Sequence, residues 1–453
     1  MGKLFGTDGI RGKANLYPIT AEIALLVGRA IAYQMTQTSG KKIKRPKVLI
    51  GKDTRVSCYM LENAIAAGLC SGGADVLLTG PLPTPAISYI TQQMRAAAGI
   101  VISASHNHYS DNGIKIFSSN GLKLSDEEEL ILEELILTEK IKDFRATDEN
   151  IGRIKRIDHA YGRYVTFLKQ NFPQDLDLTG MKVVLDCANG ASYQVAPTVL
   201  EELGADVIAF GITPNGININ DACGAQYTDR ISSLVKDYKA DIGIALDGDA
   251  DRVILVDENG NIVDGDQILA ITAIDMLKRK ELKHATVVAT IMSNMGLEVE
   301  LNKNGGKLVR TQVGDRYVIE KMKEKGYNLG GEKSGHIVFS DSLFTGDGML
   351  GALRVLAVMK KKDLPLSKLS STITLFPQYL KSITVKEKVS LKKVPALTNR
   401  VREIEEILGN RGRIVLRFSG TEPKIRLMME GQNKKEILGF MNELEKLIIK
   451  ELA

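Results

Sequence analysis

The chain has 453 residues, of which 44% are hydrophobic and 25% charged, with 60 Lys and Arg against 55 Asp and Glu. This length exceeds what one hydrophobic core usually serves, so we expect two to four domains, and the composition excludes a disordered, collagen-like or coiled-coil protein. A net charge of +5 does not indicate nucleic-acid binding, no apolar run reaches the roughly 18–20 residues that span a bilayer, and the amino terminus lacks the apolar region of a secretory signal.

Strand and helix patterns alternate through the first part of the chain. The hydrophobic spacing predicts a helix at 20–37, a strand at 47–51, a helix at 60–70, a strand at 75–78, a helix at 86–94, and strands at 98–103 and 114–117. Ser125 and Glu128 then have the spacing of a capping box, ahead of a helix that ends near residue 140. Strands separated by helices in this way predict parallel crossovers and a sheet that is covered on both faces.

The same alternation restarts twice before the pattern changes. It predicts strands at 182–186, 207–210, 242–246 and 286–290, helices at 195–203, 231–238, 268–278 and 349–360, and a polar hairpin near 257. The C-terminal residues instead predict a strand at 382–385, a helix at 394–408, strands at 413–417 and 424–430, and a helix at 434–452. We therefore predict three successive α/β domains with mixed, largely parallel sheets (1–153, 154–256 and 257–370) and a small C-terminal α+β domain (371–453), arranged around a central cleft.

Polar clusters follow several of the predicted strands, where open parallel sheets bind their ligands. The first cluster is Ser103-Ala104-Ser105-His106-Asn107, with Lys115 shortly after it. A serine at such a position is a nucleophile, a helix N-cap or part of an Asx-type turn. An acyl hydrolase is disfavoured because the chain has no G-x-S-x-G elbow here and because Ser105 and His106 should point apart on extended backbone.

The second cluster places Asp247, Asp249 and Asp251 on one side of an extended loop. Three such carboxylates repel one another unless a cation lies between them. An EF-hand is rejected because Arg252 occupies the position that needs glycine and because strands, not helices, flank the loop. A small set of ligands that are all oxygens fits Mg²⁺. We therefore favour a metal site over the alternative, an acidic turn exposed to solvent.

Two further clusters have the composition of ligand-binding loops. In Gly330-Gly331-Glu332-Lys333-Ser334-Gly335-His336, alternating polar side chains could bind sugar hydroxyls, although the composition is also that of an ordinary turn. In Arg417-Phe418-Ser419-Gly420-Thr421-Glu422-Pro423-Lys424-Ile425-Arg426, hydroxyls, backbone amides and two arginines suit a phosphate dianion, although a plain hairpin remains an alternative.

Together the four clusters resemble the motifs of the α-D-phosphohexomutase family, and the resemblance covers the whole chain in the family's four-domain order. The family's phosphoserine loop resembles SASHN, its metal loop DGDADR, its sugar-binding loop GEKSGH and its phosphate loop RFSGTEPKIR. The opening FGTDGIRG and the run DNGIKIF are most similar to bacterial members that act on glucosamine phosphate. His108 and Phe418 depart from the family pattern, but neither replaces an expected ligand.

The resemblance implies a role for each matching residue. It makes Ser105 the phosphorylated residue, and Asp247, Asp249 and Asp251 ligands of Mg²⁺ together with the phosphate on Ser105. Arg11 and Lys115 match positions beside the reacting phosphoryl group, and Lys115 and His336 are the candidate proton carriers. Sugar hydroxyls would be bound by Glu332 and Ser334, and the non-reacting phosphate by Arg417, Ser419, Gly420, Thr421 and Arg426.

The implied activity is the interconversion of glucosamine 6-phosphate and glucosamine 1-phosphate through a 1,6-bisphosphate of glucosamine or glucose, feeding UDP-N-acetylglucosamine and cell-wall synthesis. The alternatives are a phosphomannomutase or phosphoglucomutase of the same family, a Mg²⁺-dependent sugar phosphatase, and a non-catalytic sugar-phosphate sensor, which would need neither Ser105 nor the aspartates. We expect the partner to be a small-molecule hexosamine phosphate, and we expect binding to neither nucleic acid nor a membrane. The sequence does not give the oligomeric state. The four cysteines form no Cys-x-x-Cys pair, which favours reduced thiols and a cytoplasmic protein.

Overall fold

The computed structural model describes residues 4–6, 8–38, 45–138, 140–387, 389, 391–418 and 423–452. The strands are β1 (Phe5–Gly6), β2 (Gly9–Lys13), β3 (Lys47–Lys52), β4 (Asp75–Pro81), β5 (Ala98–Ile102), β6 (Asp111–Ser118), β7 (Ile154–Arg156), β8 (Lys182–Asp186), β9 (Asp206–Phe210), β10 (Ile242–Leu246), β11 (Val253–Asp257), β12 (Ile262–Val263), β13 (Thr286–Thr290), β14 (Lys307–Thr311), β15 (Leu329–Gly331), β16 (Ile337–Phe339), β17 (Gln378–Thr384), β18 (Gly412–Phe418) and β19 (Lys424–Gly431). The α-helices are α1 (Ala21–Thr38), α2 (Ser57–Ser71), α3 (Thr84–Gln93), α4 (Asp126–Leu137), α5 (Ala160–Gln170), α6 (Val195–Glu202), α7 (Asp229–Tyr238), α8 (Gly265–Lys278), α9 (Met295–Lys303), α10 (Asp315–Lys325), α11 (Gly348–Lys362), α12 (Leu366–Ser370), α13 (Pro395–Leu408) and α14 (Lys434–Leu452).

The first domain is built on a seven-stranded sheet in the order β1-β2-β6-β5-β3-β4-β7. Its central strands β3, β4 and β5 are parallel, whereas β6 and the N-terminal pair run antiparallel to their neighbours. Alternate residues of β3 enter the two apolar clusters on opposite faces, Leu49 one and Ile50 the other. Helices α1 and α2 pack closely on one face, where an added Cβ at Gly68 would lie 2.0 Å from the carbonyl oxygen of Leu25.

The second and third domains repeat this design with smaller mixed sheets. Their strand orders are β12-β11-β10-β8-β9 and β14-β13-β15-β16. One apolar cluster continues through the first three domains and includes Phe117, Ile244 and Val287. A buried hydrogen bond of 2.7 Å from Tyr164 Oη to Asp347 Oδ2 also joins α5 to the start of α11. The first three domains therefore share a continuous core.

The fourth domain is a three-stranded antiparallel sheet, in the order β17-β19-β18, with its own apolar cluster against α13 and α14. It meets the third domain through polar contacts. Arg413 Nη2 donates to the carbonyl oxygen of Ser293 at 2.6 Å, and Lys333 Nζ donates to Gln378 Oε1 at 2.8 Å. Lys333, in the loop that is predicted to bind sugar, thus contacts the sheet of the fourth domain directly.

The predicted fold class is confirmed, and the predicted strands and helices above are found with ends shifted by a few residues. Ser125 and Glu128 form the predicted capping box at the start of α4. β7 pairs with β4 in the first sheet and β12 pairs with β11 in the second, so these two edge strands lie just past the boundaries expected at 153 and 256. Hydrophobic spacing cannot show which sheet a short edge strand joins. In the part of the chain described, no helix combines the length and the apolar character needed to cross a membrane.

Candidate active site

The loop after β5 holds Ser105 in a left-handed backbone conformation, with φ of 52°. The buried guanidinium of Arg55 donates from Nη2 to the carbonyl oxygens of Ser105 at 2.9 Å and Asn107 at 2.8 Å. From the second domain, Asn220 Nδ2 donates to the same two oxygens, at 2.9 and 3.0 Å. Two domains therefore fix this loop through its backbone carbonyl groups.

The hydroxyl of Ser105 donates to Asp247 Oδ2 at 2.7 Å, and its Oγ also lies 3.1 Å from His106 Nδ1. The expectation that Ser105 and His106 point apart is wrong, because the left-handed conformation of Ser105 replaces the extended backbone on which it rested. Burial, together with the positive charges of Arg252 and Arg11, lowers the pKa of His106 to about 4. His106 is therefore an uncharged neighbour of Ser105 near neutral pH.

The three aspartates lie in the loop between the antiparallel strands β10 and β11, as the strand pattern of the flanks predicted. One carboxylate oxygen from each lies within 4.8 Å of the others, and all three residues are buried. Burial, and then the charges of Asp251 and Asp249, hold the pKa of Asp247 well above its usual range. The Oδ1 atoms of Asp249 and Asp251 are buried without a hydrogen-bond partner among the described residues. Such a set of converging oxygens fits a magnesium ion.

Lys115 projects from β6 into the same cluster and is almost fully buried. Its Nζ lies 2.8 Å from Asp249 Oδ2, 3.3 Å from Asp251 Oδ2 and 3.5 Å from Asp8 Oδ2. Arg11 pairs with the same carboxylate of Asp8. The structure thus brings together six of the predicted residues. They lie between the first-domain sheet and the loop that follows β10 in the second domain, and they are Arg11, Ser105, Lys115, Asp247, Asp249 and Asp251.

The predicted sugar-binding residues lie between β15 and β16 in the third domain. His336 is buried, and its Nε2 is 3.5 Å from Asp315 Oδ2. Glu332 Oε1 accepts a hydrogen bond of 3.1 Å from the backbone amide of Gly314, whereas Ser334 is exposed. The loop therefore presents one anchored carboxylate, one buried imidazole and one exposed hydroxyl.

Arg417 and Arg426 lie directly opposite each other on β18 and β19. Neither forms an ion pair with a carboxylate in the described residues, and the buried Nε of Arg426 has no hydrogen-bond partner there. Burial and the charge of Arg426 lower the pKa of Arg417. An uncompensated pair of guanidinium groups is suited to a phosphate dianion. Ser419, Gly420 and Thr421, predicted to complete this site, lie outside the described residues.

Several supporting residues escaped the sequence analysis. Asp8 belongs to the opening FGTDGIRG motif, but the sequence analysis gave it no role. The hydroxyl of Thr84 donates to Asp249 Oδ2 at 2.7 Å, and no sequence motif marks this residue. Lys123 and Asp315 join the first and third domains beside the site, 2.5 Å apart between Nζ and Oδ2. These contacts join residues far apart in the chain, and only the folded structure reveals them.

Comparison with family models covers most of the chain in four consecutive segments. The matches are to the phosphoglucomutase/phosphomannomutase α/β/α domains I, II and III, over residues 2–143, 162–260 and 264–376, and to the C-terminal domain over 380–447. The order of these segments is the order of the four sheets.

Individual proteins agree with this assignment. The chain is 57% identical, over all of its length and 99% of the relative, to a phosphoglucosamine mutase of Pelobacter propionicus. Its fold is similar to a phosphoglucomutase/phosphomannomutase family protein of Burkholderia thailandensis, with a TM-score of 0.82, 23% identity and coverage of 99% and 97% of the two chains. It is also similar to N-acetylphosphoglucosamine mutase of Aspergillus fumigatus in complex with GlcNAc-6P and magnesium, with a TM-score of 0.66, 18% identity and coverage of 98% and 95%. The chain thus belongs to the α-D-phosphohexomutase family of isomerases.

Proposed function

We propose that this protein interconverts glucosamine 6-phosphate and glucosamine 1-phosphate through a phosphoserine at Ser105 and a hexosamine 1,6-bisphosphate. The observation that carries the proposal is the position of the Ser105 hydroxyl. It lies 2.7 Å from one aspartate of a buried carboxylate triad, in a loop that two domains hold by its backbone. A phosphate carrier needs this combination of a hydroxyl oxygen, an adjacent cation site and a rigid support.

The choice of sugar rests on the relatives and on one side chain. The relatives that match the full chain at 57% and 56% identity are phosphoglucosamine mutases. In this chain the sugar loop carries Glu332, whose carboxylate is anchored by the amide of Gly314. A carboxylate there favours a substrate with a cationic amino group over one with a neutral hydroxyl.

The transfer begins with the phosphoryl group on Ser105. The free hydroxyl oxygen of the bound sugar monophosphate forms a bond to phosphorus as the bond from phosphorus to Ser105 Oγ breaks. The proton of that hydroxyl passes to His336. Ser105 Oγ regains a proton as the bond to phosphorus breaks, and Lys115, which is paired with three carboxylates as an ammonium ion, is the candidate donor. The product is the 1,6-bisphosphate, which turns end for end so that its other phosphoryl group returns to Ser105 and leaves the isomeric monophosphate.

Charge around the transferring group is arranged by the chain's own residues. A magnesium ion held by Asp247, Asp249 and Asp251 would neutralise negative charge on the phosphoryl oxygens. Arg11 and Lys115 place two further cations at the same end of the cleft, each paired with Asp8. Arg417 and Arg426 would hold the phosphate that does not react, in either orientation of the sugar.

The test is a panel of hexose 6-phosphates, assayed for 1-phosphate formation at one concentration of magnesium and of bisphosphate activator. The proposal requires conversion of glucosamine 6-phosphate with a higher kcat/KM than glucose or mannose 6-phosphate. Preference for glucose or mannose would reassign the sugar within the family. Release of inorganic phosphate in place of the isomer would identify a phosphatase and refute the mutase proposal. A cytoplasmic location stays a prediction.

A further inference from the structure

A partly buried row of alternating charges connects the two candidate proton carriers. Lys115 Nζ is 3.5 Å from Asp8 Oδ2, and Asp8 Oδ1 is 2.5 Å from Lys123 Nζ. The same Nζ is 2.5 Å from Asp315 Oδ2, which in turn is 3.5 Å from His336 Nε2. Lys115 and His336 therefore stand at the ends of one row, with Lys123 at its centre.

Lys123 joins two carboxylates that come from different domains. It follows β6, where it forms an isolated bridge with Phe117, and its side chain is 16% exposed. Asp8 precedes β2 in the first domain, and Asp315 is the first residue of α10 in the third. Burial would lower the pKa of Lys123, but Asp315 and Asp8 hold it above its usual value. Lys123 is therefore an ammonium ion whose loss would leave two partly buried carboxylates without their shared partner.

Asp315 is the carboxylate that contacts both Lys123 and His336. Burial would raise the pKa of Asp315, but the charges of Lys123 and His336 lower it to about 2 against the opposing charge of Asp8. An ionised carboxylate beside Nε2 favours the ring proton on that nitrogen. Neither ring nitrogen of His336 has a hydrogen-bond partner within the described ranges, and Asp315 lies beside Nε2. With the ring proton on Nε2, Nδ1 is the nitrogen left to accept a proton.

We propose that Lys123 is a positioning residue of the phosphoryl transfer, because it binds Asp8 and Asp315 together and keeps the carboxylate of Asp315 facing His336. The inference rests on the proposed mutase function. A neighbouring contact joins the same two domains but lies outside the row. The side chain of Arg316 pairs with Asp126 and Glu129 and donates to the carbonyl oxygen of Leu124. Arg316 therefore separates the effect of domain contact from the effect of positioning.

The experiment compares Lys123→Met and Lys123→Arg with Arg316→Met, and with Lys321→Met as a control on the exposed side of α10. The kcat and KM for glucosamine 6-phosphate are measured from about pH 5 to 9. Lys123→Met should lower kcat by at least about tenfold with little change in KM, since general acid–base catalysis contributes about 100-fold or more. In this variant kcat should also gain an acidic limb inside the measured range, because burial and Asp8 then act on Asp315 without the cation that most lowers its pKa, a rise of roughly 3 pKa units or more. Lys123→Arg should recover most of kcat.

The controls decide between the two explanations. Arg316→Met should lower the unfolding temperature but gain no such acidic limb, and Lys321→Met should match the parent. If Lys123→Met keeps the parent kcat, or if it and Arg316→Met lower kcat equally and neither gains the limb, the inference is wrong. If Lys123→Met fails to fold, Asp315→Asn carries the test, and a parental kcat in that variant refutes the inference. A parent enzyme that converts no hexose phosphate would refute the proposed function instead.

Discussion

The opposed arginines of the fourth domain allow one variant to be tested in two ways. Arg417 and Arg426 face each other across β18 and β19, with no carboxylate partner in the described part of the chain. Like charges directly opposite in a sheet destabilise it, and buried charges need a partner. If the partner is a substrate phosphate, Arg426→Ala should weaken substrate binding without a matching loss of stability in the free protein.

The size of the binding effect follows from the type of contact. A hydrogen bond between guanidinium and phosphate contributes about 1.5–3 kcal/mol. Its loss corresponds to a roughly 10- to 100-fold weaker binding constant. In the free protein, the relief of cross-strand repulsion is worth roughly 0.2–1 kcal/mol and offsets part of the packing that the Arg426 side chain supplies. The free energy of unfolding should therefore change by no more than about 1 kcal/mol.

The assay measures KM and kcat for glucosamine 6-phosphate, and binding of the same sugar phosphate by calorimetry. Thermal unfolding is recorded with and without the sugar phosphate, because a ligand that binds the native state raises its stability. Arg400→Ala is the matched control, since Arg400 lies on α13 of the same domain and pairs with Glu403 and Glu443 at the surface. The sugar without its phosphate should bind poorly to the parent and to both variants.

The reasoning is refuted by either of two results. If Arg426→Ala has the KM and kcat of the parent, the phosphate site lies elsewhere. The arginine pair is structural if Arg426→Ala loses much more than about 1 kcal/mol of stability and if the unfolded fraction of the variant accounts for all of its lost binding. A loss of binding in Arg400→Ala of similar size would show that the effect is not specific to the pair.

Three further predictions follow from the geometry around Ser105. Ser105→Ala should fold and bind sugar phosphate but lose nearly all turnover, and intact-mass measurement of active parent enzyme should find one phosphoryl group that this variant lacks; full activity in the variant would contradict the carrier role. EDTA should abolish activity and added Mg²⁺ restore it, and Asp249→Asn should need more Mg²⁺ because it removes one anionic ligand; an unchanged requirement would argue against this loop as the metal site. Glu332→Gln should narrow the difference in kcat/KM between glucosamine 6-phosphate and glucose 6-phosphate, and an unchanged ratio would exclude Glu332 as the selector.

Hydrophobic spacing was sufficient to predict most of the secondary structure. It also identified the strand ends that the polar clusters of the candidate site follow. The strand Ile242–Leu246 and the acidic loop after it are recognisable because a fully buried strand is a short apolar run and because three alternating aspartates are costly without a cation. The serine loop was recognisable as a loop, but its conformation was not. Whether Ser105 and His106 diverge or converge depends on a single backbone dihedral, which Arg55 and Asn220 stabilise from distant parts of the chain.

The sequence by itself predicted the groups that are proposed to carry the chemistry: a serine, three aspartates, three arginines, and a lysine and a histidine. Tertiary structure alone decided which of these groups share an environment. Lys115 of the first domain meets Asp249 of the second, and Lys123 links Asp8 of the first domain to Asp315 of the third. The physical reason is that ionic interactions depend on distance and burial, and pairs separated by more than a hundred residues acquire both only when the sheets have packed together.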